Sequence, residues 1–403
     1  MRYLHITSPR EAQEALRRIG VDPYGLTAMV PKMEHMSLFI EEVPCRSANI
    51  MKQEMLAVGG DVAVARGTVG CTIDTTDAII MGSLKQIERF ADKLSQQPFN
   101  LSDVAGKIRA VVTNMHRGSF TVQTPRRDIT VGDRTLVMGI VNMTPDSFSD
   151  GGVFQDVDGA VDHVLRMVAD GADIIDIGGE STRPDSDPVA TDEELRRVIP
   201  LIEALQGRVD VPLSIDTTKA EVARQAVESG AEMINDISSL RNDSEMTGVA
   251  VRYNVPVVLM HMRGTPKTMQ KGDLSYGSVT GEIVRFLGER IAAAEAAGID
   301  RERIIVDPGI GFGKGADDNN AIIGHLRELK SLGRPILIGT SRKSFIGAVT
   351  GKGVSDRIDG TAATVTAAIM NGAGIVRVHD VAFMKGVSQV TDAIVRDKRD
   401  MND

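Results

Sequence analysis

Several features that mark other protein classes are scarce in this 403-residue chain. Only two cysteines occur, Cys45 and Cys71, and their positions give neither a metal-ligand spacing nor a disulfide framework. The formal net charge of -9 argues against a general nucleic-acid-binding protein, because neutralising phosphates requires an excess of lysine and arginine. No apolar run approaches the length of a membrane span, and the first residues lack the apolar core of a signal peptide. We therefore expect a cytoplasmic protein that binds neither nucleic acid nor membrane.

The last two thirds of the chain alternate short apolar runs with amphipathic helical patterns. Strict alternation predicts parallel strands joined by right-handed crossovers, and eight such units predict a closed (β/α)₈ TIM barrel, here assigned to residues 126–403. An open doubly wound sheet is the alternative, but the glycine-rich dinucleotide motif that it favours is missing. The predicted strands are 136–143, 173–177, 211–215, 232–237, 255–260, 303–306, 335–338 and 374–378. The predicted helices are 157–169, 192–205, 219–228, 281–297, 320–332, 361–370 and 382–395.

Residues 1–125 are predicted to form a small α/β domain of their own. Strands are expected at 2–6, 37–43 and 77–81, with helices at 9–19, 47–58, 83–95 and 101–115. Between 116 and 134 we expect a hairpin that packs on the end of the barrel. The domain holds no dense cluster of ionisable residues, so we expect a packing or oligomerisation unit rather than a second enzyme.

Polar residues follow the predicted barrel strands, on the face where such barrels carry their active sites. Any one of them would suit a cap or a turn, but residues at all eight strand ends indicate one shared pocket. Two carboxylates, an amide and an ammonium suit a flat heterocycle with ring donors and acceptors; they are Asp216, Asp307, Asn235 and Lys343. A second set suits a phosphate or diphosphate group: Asn142, Arg183, Arg377 and His379. Asn142 and Asp150 also offer oxygen ligands for Mg²⁺. No Ser-His-Asp or Cys-His pattern indicates covalent catalysis.

Eight tracts in this region stand out: GIVNMTPDSFSDGG, DIIDIGGESTRP, SIDTTKAEVA, INDISS, LMHMRGTP, IIVDPGIGFGK, GTSRKSFIG and RVHDV. In this order they resemble the dihydropteroate synthases of the folate pathway. The resemblance covers roughly residues 136–381. It implies a transferase that joins 4-aminobenzoate to 6-hydroxymethyl-7,8-dihydropterin diphosphate and releases pyrophosphate. It also implies a dissociative mechanism, in which the departure of pyrophosphate leaves a pterin-methylene cation for the amine to capture.

The resemblance assigns roles to individual positions. It assigns pterin binding to Asp216, Asn235, Met260, Asp307 and Lys343. It assigns diphosphate binding to Asn142, Arg183, Arg377 and His379, and Mg²⁺ binding to Asn142. The aminobenzoate would contact Thr182, Pro184, Phe312, Ser341 and Lys343. The loops 147–152, which carries Asp150, and 181–185 would close over the substrates.

The chain departs from the family pattern at three points. Asp185 stands where the family often has glycine, a histidine often found near Asn319 is missing, and residues 1–125 are additional. Two other functions compete with the synthase: a pterin-binding methyltransferase barrel and a silent pterin-binding scaffold. The first would not need the diphosphate cations or the Ser341–Phe345 tract, and the second has no reason to retain both residue sets. We expect a homodimer, since such barrels commonly pair through their outer helices.

Overall fold

The computed structural model describes residues 1–6, 8–144, 157–182, 186–270 and 274–396. The chain divides into two compact units, Met1–Met115 and His116–Asp403, so the division falls ten residues before the predicted one. Within the described part of the chain, every helix is too short or too polar to cross a bilayer.

The first unit holds a three-stranded antiparallel sheet with helices packed on it. Its strand order is β1-β3-β2, and one core cluster joins sheet and helices, with Met51, Ile80 and Phe90 fully buried. The first helix begins after Ser8, whose hydroxyl accepts the Glu11 amide at 3.2 Å. In chain order the elements are α1 (Pro9–Arg18), α2 (Pro23–Met33), β1 (His35–Pro44), α3 (Cys45–Ala57), β2 (Asp61–Val64), β3 (Thr75–Ser83), α4 (Leu84–Leu94) and α5 (Leu101–His116).

Two sequence predictions for this unit need correction. The strand predicted at 2–6 is wrong: residues 1–6 belong to no strand, since an apolar run alone gives no partner for its backbone groups. The helix Pro23–Met33 was missed, because Pro31 inside it looks like a helix breaker.

The second unit is the predicted TIM barrel. Its parallel strands are β6 (Leu136–Asn142), β7 (Ile174–Gly178), β8 (Leu213–Asp216), β9 (Met233–Asp236), β10 (Val257–Met260), β11 (Ile304–Asp307), β12 (Leu337–Ile338) and β13 (Ile375–Val378). The hydrogen-bonded order is β11-β10-β9-β8-β7-β6-β13-β12. A parallel bridge between Val306 and Ile336 joins the two ends of this order, so the sheet closes on itself. The fold prediction is confirmed.

The predicted helices surround the barrel, with one change in length, and two short helices, Met246–Tyr253 and Ser344–Thr350, were not predicted. The segment predicted as a single helix at 320–332 is a helix followed by a 3₁₀ turn, Leu326–Leu332, so that prediction is wrong in its length. Gly324 and His325 end the α-helix there. The helices are α6 (Val157–Ala169), α7 (Thr191–Leu205), α8 (Ala220–Glu228), α9 (Met246–Tyr253), α10 (Val279–Ala296), α11 (Ala316–Gly324), α12 (Ser344–Thr350), α13 (Ile358–Met370) and α14 (Val381–Val395).

The predicted hairpin is present and covers the lower end of the barrel. It consists of β4 (Phe120–Gln123) and β5 (Asp128–Val131), paired antiparallel. Val122 and Val131 are buried in one cluster with inward-facing residues of the strands, among them Met138 and Ile174. The lower end of the barrel interior is therefore closed by apolar packing, which leaves the carboxyl ends of the strands as the open face.

Candidate active site

Arg377 lies at the centre of the polar cluster inside the upper mouth of the barrel. Its Nε donates to Asp176 Oδ2 at 2.6 Å, and its Nη2 donates to Asp216 Oδ2 at 2.7 Å. Asn235 Nδ2 donates to the same oxygen of Asp176 at 3.0 Å. The sequence analysis placed Arg377 with the diphosphate and Asp216 with the pterin; the structure brings the two sets into direct contact.

Burial changes the acidity of the two strand-end carboxyls. Burial raises the pKa of Asp216 to about 7, the Arg377 guanidinium opposes that rise, and Asp176 adds to it. Burial also raises the pKa of Asp307, against the Gly309 amide, which donates to its Oδ1 at 2.7 Å. Burial thus favours the protonated form of each carboxyl more than water does.

Lys343 approaches this cluster from the loop after β12. Its ammonium lies 4.6 Å from the centre of the Phe312 ring and donates to the Ile310 carbonyl. Burial lowers its pKa to about 8, although the carboxylates of Asp307 and Asp216 oppose that change. The Lys343 ammonium therefore contacts an aromatic ring and has a pKa closer to neutral pH than that of an ordinary lysine.

Ser341 and His379 form a second pair at the mouth. The Ser341 hydroxyl and His379 Nδ1 are 2.9 Å apart, and the His379 amide donates to the same hydroxyl at 3.3 Å. Next to them Arg342 forms a two-point ion pair with Asp380, at 2.6 and 3.1 Å. These contacts fix the loop after β12 against the end of β13.

An apolar wall flanks the carboxyls. Met260 lies at the end of β10 in a buried cluster with Ile237, Met262 and Met269, and Phe312 packs on it. Thioether and aromatic surfaces of this kind suit the face of a flat ring.

The remaining predicted residues divide into described and undescribed ones. Asn142 ends β6 opposite Gly178 and is partly buried, and Thr182 is partly buried in the loop after β7. Asp150, Arg183 and Pro184 lie outside the described residues, as do the two predicted closing loops for most of their length.

The sequence analysis missed two residues that the structure places in the cluster. Asp176 accepts from both Arg377 and Asn235, and its other oxygen has no partner among the described residues. A charged residue in the middle of the apolar run of β7 was the available signal. Lys314 is almost fully buried, and its ammonium donates to the carbonyls of His261, Gly309 and Phe312 at 2.8–3.1 Å. It ties together the loops after β10 and β11.

The donor set suits a magnesium ion that arrives with its substrate. No three carboxylate, imidazole or thiolate groups converge on a metal position within the described residues. One partly buried amide, that of Asn142, stands at a strand end, and Mg²⁺ usually takes one or two protein oxygens, with phosphate oxygens and water completing its octahedron.

Comparison with known proteins shows which protein family the chain belongs to. A family model described as "Pterin binding enzyme" matches residues 138–379, which is more than half of the chain. The chain therefore belongs to the pterin-binding enzyme family.

Individual relatives show which enzymes of this family the chain is most like. The chain is 50% identical over 266 residues to the dihydropteroate synthase of Synechocystis sp., covering 66% of this chain and 92% of that protein. The dihydropteroate synthase of Xanthomonas albilineans, solved with 4-aminobenzoic acid, matches with a TM-score of 0.64 and 48% identity over 68% of this chain and 98% of that one. Within the family, the chain belongs with the dihydropteroate synthases.

The similarity to a third relative extends beyond the barrel into the first unit. A probable bifunctional folylpolyglutamate synthase/dihydropteroate synthase of Halobacterium salinarum is 41% identical over 393 residues. The match covers 96% of this chain and 46% of that protein, so it includes the first unit as well as the barrel.

Proposed function

We infer that this chain is a transferase that condenses 6-hydroxymethyl-7,8-dihydropterin diphosphate with 4-aminobenzoate and releases pyrophosphate. The observation that supports it best is the buried cluster around Arg377, in which ring-binding carboxyls and a phosphate-binding guanidinium meet at the strand ends. A methyltransferase of the same family has no use for a guanidinium at that position. The residue roles below are part of the proposal.

The pterin ring is held by Asp216, Asn235, Asp307 and Lys343, with Met260 against its face. Two carboxyls with raised pKa values suit a pterin, because each accepts from the amino and ring N–H groups when ionised and donates to a ring acceptor when protonated.

The diphosphate is held by Asn142, Arg183, Arg377 and His379. In the structure Arg377 is paired with two carboxylates, so it exchanges the Asp216 contact for a diphosphate oxygen when substrate enters. The Asn142 amide oxygen would hold Mg²⁺, which would supply positive charge near the leaving group. Asp150 lies on the first loop and is a second candidate oxygen ligand.

The aminobenzoate is held by Thr182, Pro184, Phe312 and Ser341, with Lys343 beside it. The Lys343 ammonium lies over the face of the Phe312 ring. The aromatic ring of aminobenzoate can therefore pack on Phe312, and its carboxylate can pair with the Lys343 ammonium. The contact between the Ser341 hydroxyl and His379 Nδ1 supports this role, because it joins a residue proposed for the aminobenzoate to one proposed for the diphosphate.

The reaction follows from this arrangement. The bond between the pterin methylene carbon and the diphosphate oxygen breaks, and the electron pair leaves with pyrophosphate. Arg377 and His379 stabilise that charge, while Asp216 and Asp307 stabilise the cationic pterin that remains. The neutral arylamine then forms the new carbon–nitrogen bond and loses one proton, and no strong general base is required.

We also propose a cytoplasmic homodimer. The substrate diphosphate carries several charges and does not cross a membrane. Large apolar side chains stand exposed on the outer helix α14, including Phe383, Val390 and Ile394, and exposed apolar surface of this kind marks protein interfaces. Light scattering on the full-length protein tests the dimer; a monomer at micromolar concentration would contradict it.

The test of the function is pyrophosphate release by the full-length protein. With dihydropterin diphosphate and Mg²⁺, we expect release that depends on 4-aminobenzoate and falls at least 100-fold in Lys343→Ala and Arg377→Ala. Arg208→Ala is the control, since Arg208 is exposed in the turn after α7 and the change removes the same charge. No release by the wild type, with dihydropterin still bound, would refute the proposal.

A further inference from the structure

A cluster of three charged side chains joins the loop after β7 to the two helices that follow it. Lys219 Nζ donates to Glu194 Oε2 at 2.5 Å and also donates to Glu180 Oε2. Glu180 lies two residues after the end of β7, Glu194 lies in the first turn of α7, and Lys219 stands immediately before α8. None of the three is among the residues proposed to bind a substrate.

The cluster is mostly buried. The side chain of Glu194 is 1% exposed, that of Lys219 is 19% exposed and that of Glu180 is 24% exposed. Burial lowers the pKa of Lys219, but the two carboxylates more than offset this and raise it above its ordinary value, so the side chain remains an ammonium. Water screens such a pair less than an exposed one, so its geometry is held more firmly.

Lys219 occupies a position where a lysine does not help the helix. The residue before a helix usually carries a short polar side chain that caps the first amides, and a cation there opposes the helix dipole. The Lys219 side chain makes no such cap, and the first amide of α8, that of Ala220, donates instead to Asp243 Oδ2 at 2.8 Å. The role of Lys219 therefore lies in its contacts with the two carboxylates.

The residue next to Glu180 is fixed on α7 as well. Arg197 Nη1 donates to the Gly179 carbonyl at 2.8 Å. Gly179 packs so closely on the helix that an added Cβ atom would lie 2.9 Å from both Glu194 Cγ and Val198 Cγ1. The backbone at the start of this loop is thus held by Arg197, and the Glu180 side chain by Lys219.

This start of the loop borders the catalytic mouth. Thr182, proposed to contact the aminobenzoate, is the second residue after Glu180, so their Cα atoms are at most about 7 Å apart. On the other side, Gly178 pairs with Asp216 across the two strands. The Glu194 carboxylate is among the charges that raise the pKa of Asp216, after burial, which places the cluster close to the pterin-binding side too.

We propose that Lys219 is a positioning residue for 4-aminobenzoate, which holds the segment that carries Thr182 through the Glu180 carboxylate. The inference rests on the proposed function, because it concerns the second substrate of that reaction. Lys219 acts through Glu180 and does not itself contact a substrate. Without the Glu180–Lys219 ion pair Thr182 is held less precisely and the aminobenzoate binds less tightly, whereas Asp216 and Asp307 stay in place at their strand ends.

The experiment is steady-state kinetics of the full-length protein, with 4-aminobenzoate varied at saturating dihydropterin diphosphate and Mg²⁺. Glu180→Gln removes the charge that Lys219 holds and leaves the Lys219–Glu194 pair intact. We expect the KM for 4-aminobenzoate to rise at least about tenfold, with kcat within about threefold of wild type. Lys219→Met should change KM equally, and Glu180→Gln/Lys219→Met should add nothing further, because each single change removes the same interaction.

Stability separates these two variants from each other. Lys219→Met leaves Glu194 buried without its cation, so its melting temperature should fall well below that of wild type. Glu180→Gln should melt close to wild type, because Glu180 is partly exposed and Lys219 keeps its other partner. An equal rise of KM in two variants of unequal stability shows that KM does not follow a general loosening of the fold.

Two more variants serve as rescue and control. Lys219→Arg keeps a cation with several N–H donors between the two carboxylates, so its KM should lie within about threefold of wild type. Arg224→Met is the matched control, since Arg224 also pairs with two carboxylates, Glu221 and Glu228, and both lie on α8 itself. It removes a cation of the same helix that has no contact with the loop after β7, and its KM should equal that of wild type.

Binding of the bare 6-hydroxymethyl-7,8-dihydropterin, measured by calorimetric titration, shows whether the effect is confined to the second substrate. Its Kd should stay within about twofold of wild type in Glu180→Gln, because the strand-end carboxyls do not depend on the Glu180–Lys219 ion pair. A tenfold weaker Kd for this ligand would mean that the whole mouth is disturbed, and it would overturn the assignment to 4-aminobenzoate.

The remaining outcomes separate this inference from the proposed function. Wild type that releases no pyrophosphate would refute the function, and the role of Lys219 with it. Active wild type with an unchanged KM for 4-aminobenzoate in Glu180→Gln and Lys219→Met would overturn the role of Lys219 alone. A rise of KM that Arg224→Met shares, or that Lys219→Arg does not relieve, would overturn it as well.

Discussion

Replacing Arg377 by methionine tests the electrostatic account of the mouth most directly. The guanidinium is 20% exposed and pairs with two carboxylates, Asp176 at 2.6 Å and Asp216 at 2.7 Å. Removing one partner of a buried ion pair costs about 3–5 kcal/mol, because the remaining charges stay buried without compensation. We expect a loss of that size in the barrel of Arg377→Met at pH 8.5.

The free energy of unfolding of Arg377→Met should also depend on pH in a way that differs from wild type. A carboxyl whose pKa is higher in the folded state than in the unfolded state loses stability as pH rises, until the folded pKa is passed. For wild type the contribution of Asp216 therefore levels off above about pH 7. Without Arg377 the folded pKa is higher still, so the free energy of unfolding keeps falling by up to about 1.4 kcal/mol per pH unit above pH 7.

Hydrogen exchange of the barrel strands measures this free energy without assuming that both units unfold together. Amides of β7 such as that of Ile175, which donates to the Pro212 carbonyl, report opening of the barrel. Arg377→Met/Asp216→Asn removes the uncompensated carboxylate and should remove the slope above pH 7. If Arg377→Met lost the same stability at pH 6 as at pH 8.5, or if the double variant kept the slope, the reasoning would be refuted.

Three further predictions address single groups. The wild-type turnover rate should fall as pH rises above about 8, the pKa of Lys343, because the ammonium form is needed. Lys343→Arg should retain any residual rate to higher pH, since a guanidinium stays charged. A pH–rate profile of Lys343→Arg with the same alkaline limb as wild type would contradict this. Lys314→Met should cost about 3 kcal/mol and expose the loop 309–314 to hydrogen exchange, since three buried carbonyls lose their donor; unchanged protection would count against it. The sulfur atoms of Cys45 and Cys71 lie 2.7 Å apart, so diamide should join them with the loss of two hydrogen atoms by mass spectrometry, and full alkylation of both thiols after treatment would disprove this.

The barrel was predictable because its signal is periodic and repeated. Each buried strand is a short run of β-branched residues, and each predicted strand overlaps an observed one, with boundaries shifted by one or two residues. Short helices without strong amphipathic periods were missed: Met246–Tyr253 and Ser344–Thr350 have only eight and seven residues. Pattern reasoning needs two or three turns before a helical period becomes distinct.

The site was predictable only where residues stand at strand ends. Asp216 and Asp307 end their strands, Asn235 is the next-to-last residue of its strand, and all three were found by that rule. Asp176 lies within the apolar run of β7. It meets Arg377 because β7 and β13 both pair with β6, an order of strands that the linear sequence does not show.

The β4–β5 hairpin has a consequence for how this chain can be divided or fused. Residues 120–131 precede the first barrel strand, yet Val122 and Val131 belong to the hydrophobic interior of the barrel. A gene fragment that starts at residue 126 or 136 would leave that interior open to water, whereas one that starts near His116 carries its own lid. A cut between the two units is therefore best placed in the short interval between α5 and the hairpin, where it leaves the barrel interior covered.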